Sequence, residues 1–211
     1  MAQILKDNVR DDIVASAKEE FLEYGYEDSS MRRIASRSQM TVGNLYRYFR
    51  NKEELNRFIV SKTYDEINGI LSKLTGNEID MTKSVDSLSF SFEELKGMLN
   101  KLVDGLMDVY EHHRIELNIL MMGSRLNEEI TNWFTNLLVR LIADNYHVDA
   151  ELETVRTLSR TYAIAIFHGL RDMLKTSKAS NDSMRKMVRI YLNSFINILR
   201  QDITELAGES L

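Results

Sequence analysis

The sequence predicts an all-α protein in which a small N-terminal domain of short helices is joined by one long helix to a larger helical domain. Proline, which kinks or ends helices, is absent from the 211 residues. Apolar residues recur every three or four positions along most of the chain, which is the spacing of a buried helix face. No segment alternates apolar and polar residues for long enough to indicate a β-strand.

The composition is that of a packed soluble protein, with 44% hydrophobic and 28% charged residues. The absence of cysteine excludes disulfides, thiolate zinc sites and cysteine nucleophiles. The longest strongly apolar run, YAIAIF at residues 162–167, is much shorter than the roughly 20 residues of a membrane-spanning helix. The N-terminus lacks the apolar core of a signal peptide. We therefore expect a cytoplasmic protein that does not bind membranes.

The first helix is expected over residues 7–23. Ile13, Ala17 and Phe21 form an apolar stripe with helical spacing. Gly25 follows the stripe, and glycine is the residue type that most readily ends a helix in a left-handed conformation. The sequence therefore predicts that the first helix ends at this glycine.

Three capping patterns mark the helices that follow. Ser, Thr and Asn side chains commonly accept a hydrogen bond from a backbone N–H of the first helical turn. The expected caps are Ser29 or Ser30, Thr41, and Asn51 with Glu54 as a capping box. The helices that they begin are expected to extend to residue 38, to residue 48 and over residues 52–74. Short helices around a tight turn, followed by a long helix, form a helix-turn-helix layout.

The remainder of the chain begins with a polar segment, residues 75–91, which indicates a loop. Ser91 and Glu94 form a second capping box ahead of a helix over residues 92–112. The remaining helices are expected at 115–125, 128–146, 150–175 and 183–206, with turns at Asn127, 147–149 and 177–182. The predicted domains are residues 1–51 and 52–211, connected by the helix over 52–74.

The last two helices carry more apolar surface than one core-facing side requires. Residues 162–167 are apolar all round, and the final helix has apolar residues on more than one face. Two such helices from each of two chains would form a four-helix bundle, so we expect a homodimer. The alternative is that both faces are buried within one chain. The expected interface residues are Tyr162, Ile166, Leu170, Met184, Met187, Val188, Tyr191, Phe195, Ile198 and Leu199.

Positive charge is concentrated in one part of a chain whose net charge is −5. Residues 29–62 contain eight basic and two acidic side chains, a net charge of +6. A phosphate backbone responds to charge within a Debye length of about 10 Å, and not to the total charge of a protein. Nucleic-acid binding is therefore compatible with this acidic chain, and a solvated helical surface is the alternative interpretation.

Residues 29–55, with the sequence SSMRRIASRSQMTVGNLYRYFRNKEEL, resemble the DNA-binding motif of the tetracycline-repressor (TetR) family of bacterial regulators. The resemblance extends back over the first helix and covers roughly residues 8–60. The matching features are Ile34-Ala35, Thr41-Val42-Gly43, Leu45-Tyr46, Tyr48-Phe49 and Lys52-Glu53-Glu54-Leu55. Because many positions agree at fixed spacing, the match is specific, whereas the remainder of the chain resembles the family only in its helical layout and length.

By this resemblance, residues 41–48 form the recognition helix in the major groove of DNA. Asn44 would pair with adenine, and Gly43 would allow the helix to approach the duplex closely. Arg47 would add positive charge or point to solvent. The DNA-contacting residues that the resemblance implies are Val42, Gly43 and Asn44 at base edges and Ser30, Arg32, Arg33, Thr41, Tyr46, Arg47, Tyr48 and Lys52 around them.

One position departs from the family pattern. Members of the family commonly place a glycine in the turn between the two short helices, where this chain has Ser38-Gln39-Met40. If Gln39 must adopt a left-handed conformation there, the cost is about 1 kcal/mol. This cost affects the geometry of the turn more than it affects the motif as a whole.

The resemblance also implies that the C-terminal domain dimerises and encloses a small-molecule effector. Effector binding would change the separation of the two recognition helices and so release DNA by a population shift. Met and aromatic side chains suit a small, largely apolar ligand, although such residues are more often core. The candidate pocket residues are Met107, Tyr110, Leu117, Met121, Met122, Trp133, Phe134, Leu137, Phe167 and His168. No cofactor is expected. His112 and Glu116, four positions apart on one helical face, have a spacing that could hold a metal, but a third ligand is lacking.

Motifs of catalysis are absent, since the sequence has no GxSxG, P-loop, GxGxxG or HExxH pattern. We therefore expect a dimeric DNA-binding transcriptional regulator and no enzyme activity. The alternative is a dimeric helical adaptor that binds an acidic protein through the basic segment. Neutralising Arg32 and Arg33 should weaken binding to all DNA sequences alike, whereas Asn44→Ala should relax specificity at one base pair.

Overall fold

The computed structural model describes residues 2–75 and 91–207, with side chains described for residues 8–73, 91–123, 128 and 130–200. Within these ranges every regular element is an α-helix, which confirms the all-α fold class. The helices are α1 (Ala2–Asp28), α2 (Met31–Arg37), α3 (Val42–Leu45), α4 (Lys52–Thr75), α5 (Phe92–His112), α6 (Arg114–Met122), α7 (Ser124–Tyr146), α8 (Glu153–Thr176) and α9 (Asn181–Ala207). The loop predicted at 75–91 lies outside the described residues, apart from its first and last positions.

The chain forms two compact units. The first comprises Met1–Glu66 and His112–Gly123, and the second comprises Ile67–Glu111 and Ser124–Leu211. The division therefore falls within α4, and α6 belongs to the first unit. The domain boundary expected at residue 51 stays a prediction.

The apolar stripe of α1 is buried in the first unit. Ile13, Ala17 and Phe21 are each 0% exposed, as are Ile34 of α2 and Leu45 of α3. Helices of seven and four residues are too short to be stable alone. Burial of their apolar side chains therefore keeps α2 and α3 helical.

Two polar contacts connect α6 to other helices of the first unit. Lys18 Nζ of α1 lies 2.5 Å from Glu116 Oε1 of α6. His113 Nε2, immediately before α6, lies 3.3 Å from Glu66 Oε1 of α4. These side chains join α6 to both α1 and α4.

Two glycines decide where the helices bend or break. Gly25 has φ 75° and ψ 173°, a conformation essentially restricted to glycine, and helical turns resume after it up to Asp28. The regular helix is therefore interrupted at Gly25, as the sequence predicted, and a short helical stretch follows the interruption. The turn predicted at Asn127 is wrong, because α6 ends earlier and α7 already includes that residue. The break lies at Gly123, whose extended backbone (φ −71°, ψ 129°) ends α6.

In the second unit, α8 and α9 approach each other closely at Gly169. A Cβ at this position would lie 2.0 Å from the Tyr191 hydroxyl, which donates to Ala165 O at 2.5 Å. On the other side of α9, Asp104 of α5 forms an ion pair with Arg185 at 3.0 Å. These contacts hold α9 between α5 and α8.

Within the described ranges, no helix is both long and apolar enough to cross a membrane. The same residues contain no group of three metal-ligating side chains. The sequence placed His112 and Glu116 on one helical face, and this placement is wrong. His112 ends α5, the backbone leaves the helical conformation at His113, and Glu116 belongs to α6.

Candidate nucleic-acid interface

The turn between α2 and α3 is built around a left-handed residue. Gln39 has φ 55°, so the conformation considered for it from the sequence is the one observed. Met40 N donates to Ala35 O at 2.9 Å, and Gln39 N donates to Ser36 O at 3.2 Å. This pair of bonds is the Schellman motif, in which the residue after the C-cap is normally glycine. The turn therefore keeps its geometry at the cost of strain at Gln39.

Thr41 begins α3 as predicted. Its backbone is extended (φ −76°, ψ 148°), and Thr41 Oγ1 accepts a hydrogen bond from Asn44 N at 3.2 Å. The regular helix ends at Leu45, whereas the sequence extended it to Tyr48. After Leu45 the backbone bonds shorten to a spacing of three residues, with Arg47 N donating to Asn44 O at 3.1 Å. Residues 46–51 then connect α3 to α4, which begins at residue 52.

The first residues of α3 form the exposed part of the motif. Thr41 and Gly43 are exposed, and Val42 and Asn44 are half-buried. A Cβ on Gly43 would meet no atom within 4 Å, so nothing in the described part of the chain requires glycine there. The lack of a side chain at Gly43 therefore matters only for the approach of a partner.

Some of the predicted phosphate-binding side chains are free. Tyr46 is 48% exposed, and Arg32 and Arg47 are exposed as well. Among the side chains that the structure describes, the guanidinium groups of Arg32 and Arg47 have no hydrogen-bond or ion-pair partner. Tyr48 is half-buried. These groups can bind a ligand without giving up an internal contact.

Arg33 and Arg37 are instead bound to a buried acid of α1. Glu20 is 0% exposed, and its carboxylate accepts hydrogen bonds from Ser30 N (3.1 Å), Arg33 Nε (2.5 Å) and Arg37 Nε (3.2 Å). Arg37 also binds Glu23. Much of the positive charge of α2 is therefore neutralised within the fold.

Tyr24 and Arg37 also affect the pKa of the neighbouring Glu23 carboxyl. Hydrogen bonds from Tyr24 and Arg37 hold the pKa of Glu23 below its ordinary value. The hydrogen bond to Glu23 raises the pKa of Arg37. Glu23 and Arg37 are therefore both charged at neutral pH, and their pairing persists there.

Lys52 is the predicted phosphate ligand with the most internal contacts. Its Nζ donates to Tyr26 O at 2.5 Å, to Glu27 O at 3.0 Å and to Ser29 O at 3.0 Å. The same ammonium lies 4.5 Å from the centre of the Tyr26 ring. All three N–H donors of the ammonium are therefore used inside the protein.

Glu20 and Arg37 belong to this region and were missed by the sequence interpretation. A signal existed, since Glu20 lies on α1 beside Ala17 and Phe21 of the apolar stripe. A charged residue on a buried face requires partners. The identity of those partners depends on how α2 packs against α1.

The candidate pocket residues are divided between the two units. Leu117, Met121 and Met122 belong to α6 of the first unit, and the other candidates belong to the second. Most of them are buried, but His168 is exposed, with its Nδ1 3.2 Å from Arg171 Nη2. The buried candidates of the second unit are Met107, Tyr110, Trp133, Leu137 and Phe167, with Phe134 half-buried.

The predicted dimer residues fall into two sets. Five are buried within the single chain, at 9% exposure or less: Ile166, Leu170, Met184, Val188 and Leu199. Met187 and Ile198 are 40% and 39% exposed, and Tyr162, Tyr191 and Phe195 are half-buried. Two further exposed apolar residues of α8 and α9 were not predicted, namely Ile164 at 39% and Ile190 at 71%.

Residues 13–57 match the sequence model of the family described as "Bacterial regulatory proteins, tetR family". This match confirms the resemblance over the segment that contains the end of α1, all of α2 and α3, and the beginning of α4. A search of curated proteins found no match.

Three solved structures illustrate which proteins this chain is similar to. NalD of Pseudomonas aeruginosa, the secondary repressor of the MexAB-OprM multidrug efflux pump, is 25% identical over 86% of this chain and 93% of its own, with a TM-score of 0.46. The fatty acid degradation regulator FadR of Bacillus halodurans is 20% identical over 92% and 95%, with a TM-score of 0.43. A TetR-like regulator from Rhodococcus sp. RHA1 is 15% identical over 87% and 92%, with a TM-score of 0.48. Because these TM-scores are below 0.5, the likeness of this chain to the family rests on residues 13–57.

Proposed function

We propose that this protein, whose residues 13–57 match the tetR family, is a transcriptional repressor that binds a palindromic operator as a homodimer and is released by a small-molecule effector. The observation that carries the proposal is the geometry of α2, α3 and the turn between them. Both short helices are capped by hydroxyl side chains, Gln39 supplies the left-handed turn, and the first residues of α3 are exposed. In a helix-turn-helix this exposed helix start is the part that meets base edges.

Base recognition would fall to the first turn of α3. The Asn44 amide, which has no hydrogen-bond partner among the described residues, can both donate and accept, as adenine requires in the major groove. The half-buried Val42 presents an apolar group suited to a thymine methyl. Gly43 lets the backbone of α3 come close to the duplex, because no side chain stands between them.

Phosphate binding would come first from Arg32 and Arg47, whose guanidinium groups are not committed inside the described part of the chain. Tyr46 adds an exposed hydroxyl. Arg33 uses Nε and Nη2 internally but is 44% exposed, so it retains N–H groups for a phosphate. The Ser30 hydroxyl accepts from Arg33 N and can still donate its own proton.

Dimerisation would use the apolar surface that α8 and α9 leave exposed. Met187, Ile190 and Ile198 recur on α9 with helical spacing, and Ile164 lies on α8. A closed two-fold interface through these helices would make the two recognition helices symmetric. Symmetric helices about 34–36 Å apart read the two halves of a palindrome.

An effector would act by changing that separation. A ligand that binds one spacing of the recognition helices better than another shifts the population toward it. Buried Met107, Trp133 and Phe167 of the second unit are the type of side chain that holds a small, largely apolar molecule. The free energy by which the effector weakens DNA binding is limited by the difference between its binding free energies for the two spacings.

Selection of bound fragments from the source genome tests this function. Purified protein, refolded without ligand, is mixed with fragments at two salt concentrations. A palindromic consensus whose affinity falls steeply with salt is expected, because phosphate contacts release counterions. A reporter gene behind the recovered operator should lose expression when the protein is produced.

Two variants separate DNA reading from the adaptor alternative. Asn44→Ala is expected to relax the preference at one base pair by about 1–3 kcal/mol. Arg32→Met is expected to weaken binding to all sequences alike. A ligand-free dimer that selects no consensus would contradict the proposal and favour a protein partner.

A further inference from the structure

The connection between α1 and α2 is a point where three helices meet. Gly25 bends α1, and α2 begins after Ser30. The last carbonyls of a helix have no partner within it, and they carry partial negative charge. The residues from Tyr26 to Ser29 therefore present acceptors that need a donor from outside α1.

Lys52, in the first turn of α4, supplies that donor. Its ammonium lies within 2.5–3.0 Å of the carbonyl oxygens of Tyr26, Glu27 and Ser29. Hydrogen bonds to a charged group are shorter and stronger than neutral ones. A single side chain thus joins the start of α4 to the end of α1.

The same connection is held from the opposite side by Glu20. The buried carboxylate accepts from Ser30 N at 3.1 Å, and Ser29 Oγ donates to Tyr26 O at 2.6 Å. Arg33 Nη2 donates to Asp28 O. The segment before α2 is therefore held by the side chains of Glu20 from α1, Arg33 from α2 and Lys52 from α4.

We propose that Lys52 is a positioning residue for operator binding and does not itself contact a phosphate. By fixing α4 against the α1–α2 connection, it sets the direction in which α2 and α3 face the DNA. A phosphate could recruit this ammonium only by withdrawing it from three carbonyl oxygens. The Tyr26 oxygen would keep its hydrogen bond from Ser29 Oγ, but each of the three would lose its hydrogen bond to a charged group. This inference rests on the proposed function, because it assigns a role in operator recognition.

The test compares Lys52→Met with Arg32→Met. Methionine keeps the length and apolar character of the lysine stem but removes its charge and donors. Affinity for the selected operator and for unrelated DNA is measured by fluorescence anisotropy over a range of salt, well below the unfolding temperature of each variant. Arg32 is the matched control, since its exposed guanidinium is proposed to bind phosphate.

Lys52→Met is expected to lower operator affinity by about tenfold or more, the factor for losing a hydrogen bond to a charged group. Its affinity for unrelated DNA and its salt dependence should stay as in the unmodified protein. Arg32→Met should weaken both DNAs alike and reduce the salt slope of the dimer by about 1.8, because two phosphate contacts are lost.

Two results would overturn the inference. A reduced salt slope for Lys52→Met would make Lys52 a phosphate ligand, and unchanged operator affinity would make it a residue of stability only. If Lys52→Met does not fold, the operator affinity of Lys52→Arg decides between a phosphate ligand and a positioning residue. Arginine keeps the charge, so a phosphate ligand predicts unchanged affinity, whereas its planar donors cannot serve three carbonyls and a positioning role predicts weaker operator binding. Failure of the unmodified protein to bind any operator would instead refute the proposed function.

Discussion

Replacement of Glu20 tests how the DNA-facing helices are held on α1. Its side chain is 0% exposed, and its carboxylate accepts from Ser30 N, Arg33 Nε and Arg37 Nε. Glu20→Ala removes the acceptor for all three groups at once. It also leaves two guanidinium groups beside the space that the carboxylate occupied, so the first unit should become less stable.

The size of the effect follows from the burial of the partners. Removing one member of a buried ion pair typically costs about 3–5 kcal/mol. Here Arg33 and Arg37 are 44% and 30% exposed, so water solvates part of the charge that is left. We therefore expect a loss of about 2–3 kcal/mol in the free energy of unfolding.

Glu19→Ala is the matched control. Its side chain is 70% exposed and 3.5 Å from Arg37, so its loss should be within about 0.5 kcal/mol.

Urea denaturation followed by circular dichroism measures the difference, provided that the slope m stays constant. Trp133, the single tryptophan of the sequence, lies in α7 of the second unit, so its fluorescence follows that unit. The lower free energy of unfolding of Glu20→Ala should appear in the circular-dichroism transition. Equal stability of Glu20→Ala and Glu19→Ala would refute the reasoning, since the three hydrogen bonds would then contribute no net stabilisation.

Three further predictions concern the turn, the recognition helix and one ion pair. Gln39→Gly is expected to raise the free energy of unfolding by about 0.5 kcal/mol in urea denaturation, because left-handed strain is removed and the greater entropy of unfolded glycine offsets part of the gain. Gly43→Ala is expected to raise the free energy of unfolding by about 0.5 kcal/mol, because a Cβ there meets no atom within 4 Å and the unfolded chain loses the entropy of glycine. The same change is expected to lower operator affinity by about tenfold in fluorescence anisotropy through lost base contacts. Burial alone would raise the pKa of Glu116, but the hydrogen bond and charge of Lys18 outweigh it and lower the pKa below 4.5. The pair therefore stabilises the folded state fully above the ordinary pKa of a glutamate carboxyl. This stabilisation is lost as the pH falls through the lowered folded pKa, and thermal unfolding across the acid range measures the loss.

Each of these has a control. Gln39→Ala keeps the left-handed strain and should not stabilise the protein, so equal gains from alanine and glycine would contradict the explanation. Gly97→Ala of α5 also has no atom within 4 Å of its Cβ and should leave operator affinity unchanged. Glu116→Gln should make stability less dependent on acid pH than in the unmodified protein, and an unchanged pH profile would show that the Lys18 pair is not responsible.

Local features of the fold were predictable because the interactions that create them span few residues. Thr41 caps α3 through a bond to Asn44 N, and Ser91 caps α5 through Glu94. Asn51 Oδ1 accepts from Glu54 N at 2.7 Å. In an ordinary capping box the Glu54 carboxylate would accept from the backbone N–H of Asn51. Here it accepts from Arg50 N, one residue earlier. Caps of this kind fixed four of the predicted helix starts, those of α2, α3, α4 and α5.

The composition of the DNA-facing surface depended on tertiary packing. The sequence contains a basic segment, but only the fold decides which of its Arg and Lys side chains are left without an internal hydrogen bond or ion pair. Arg32 has no partner among the described residues. Arg33 is bound to Glu20, 13 residues earlier, and Lys52 to a carbonyl 26 residues earlier. Contacts over such distances depend on how α1, α2 and α4 pack, and no spacing rule encodes them.

The sequence by itself determined the helical class, the helix-turn-helix layout and the caps, because each follows from composition, periodicity or contacts within a few residues. The left-handed conformation of Gln39 was considered only because the family commonly has a glycine in that turn. Only the tertiary structure separated Met184 and Val188, which are 0% exposed, from Met187, which is 40% exposed on the same helix. A helix with apolar residues on two faces gives no internal sign of which face meets its own chain. Packing against α5 and α8 decides that, because the ion pair of Asp104 with Arg185 and the close approach at Gly169 fix the rotation of α9.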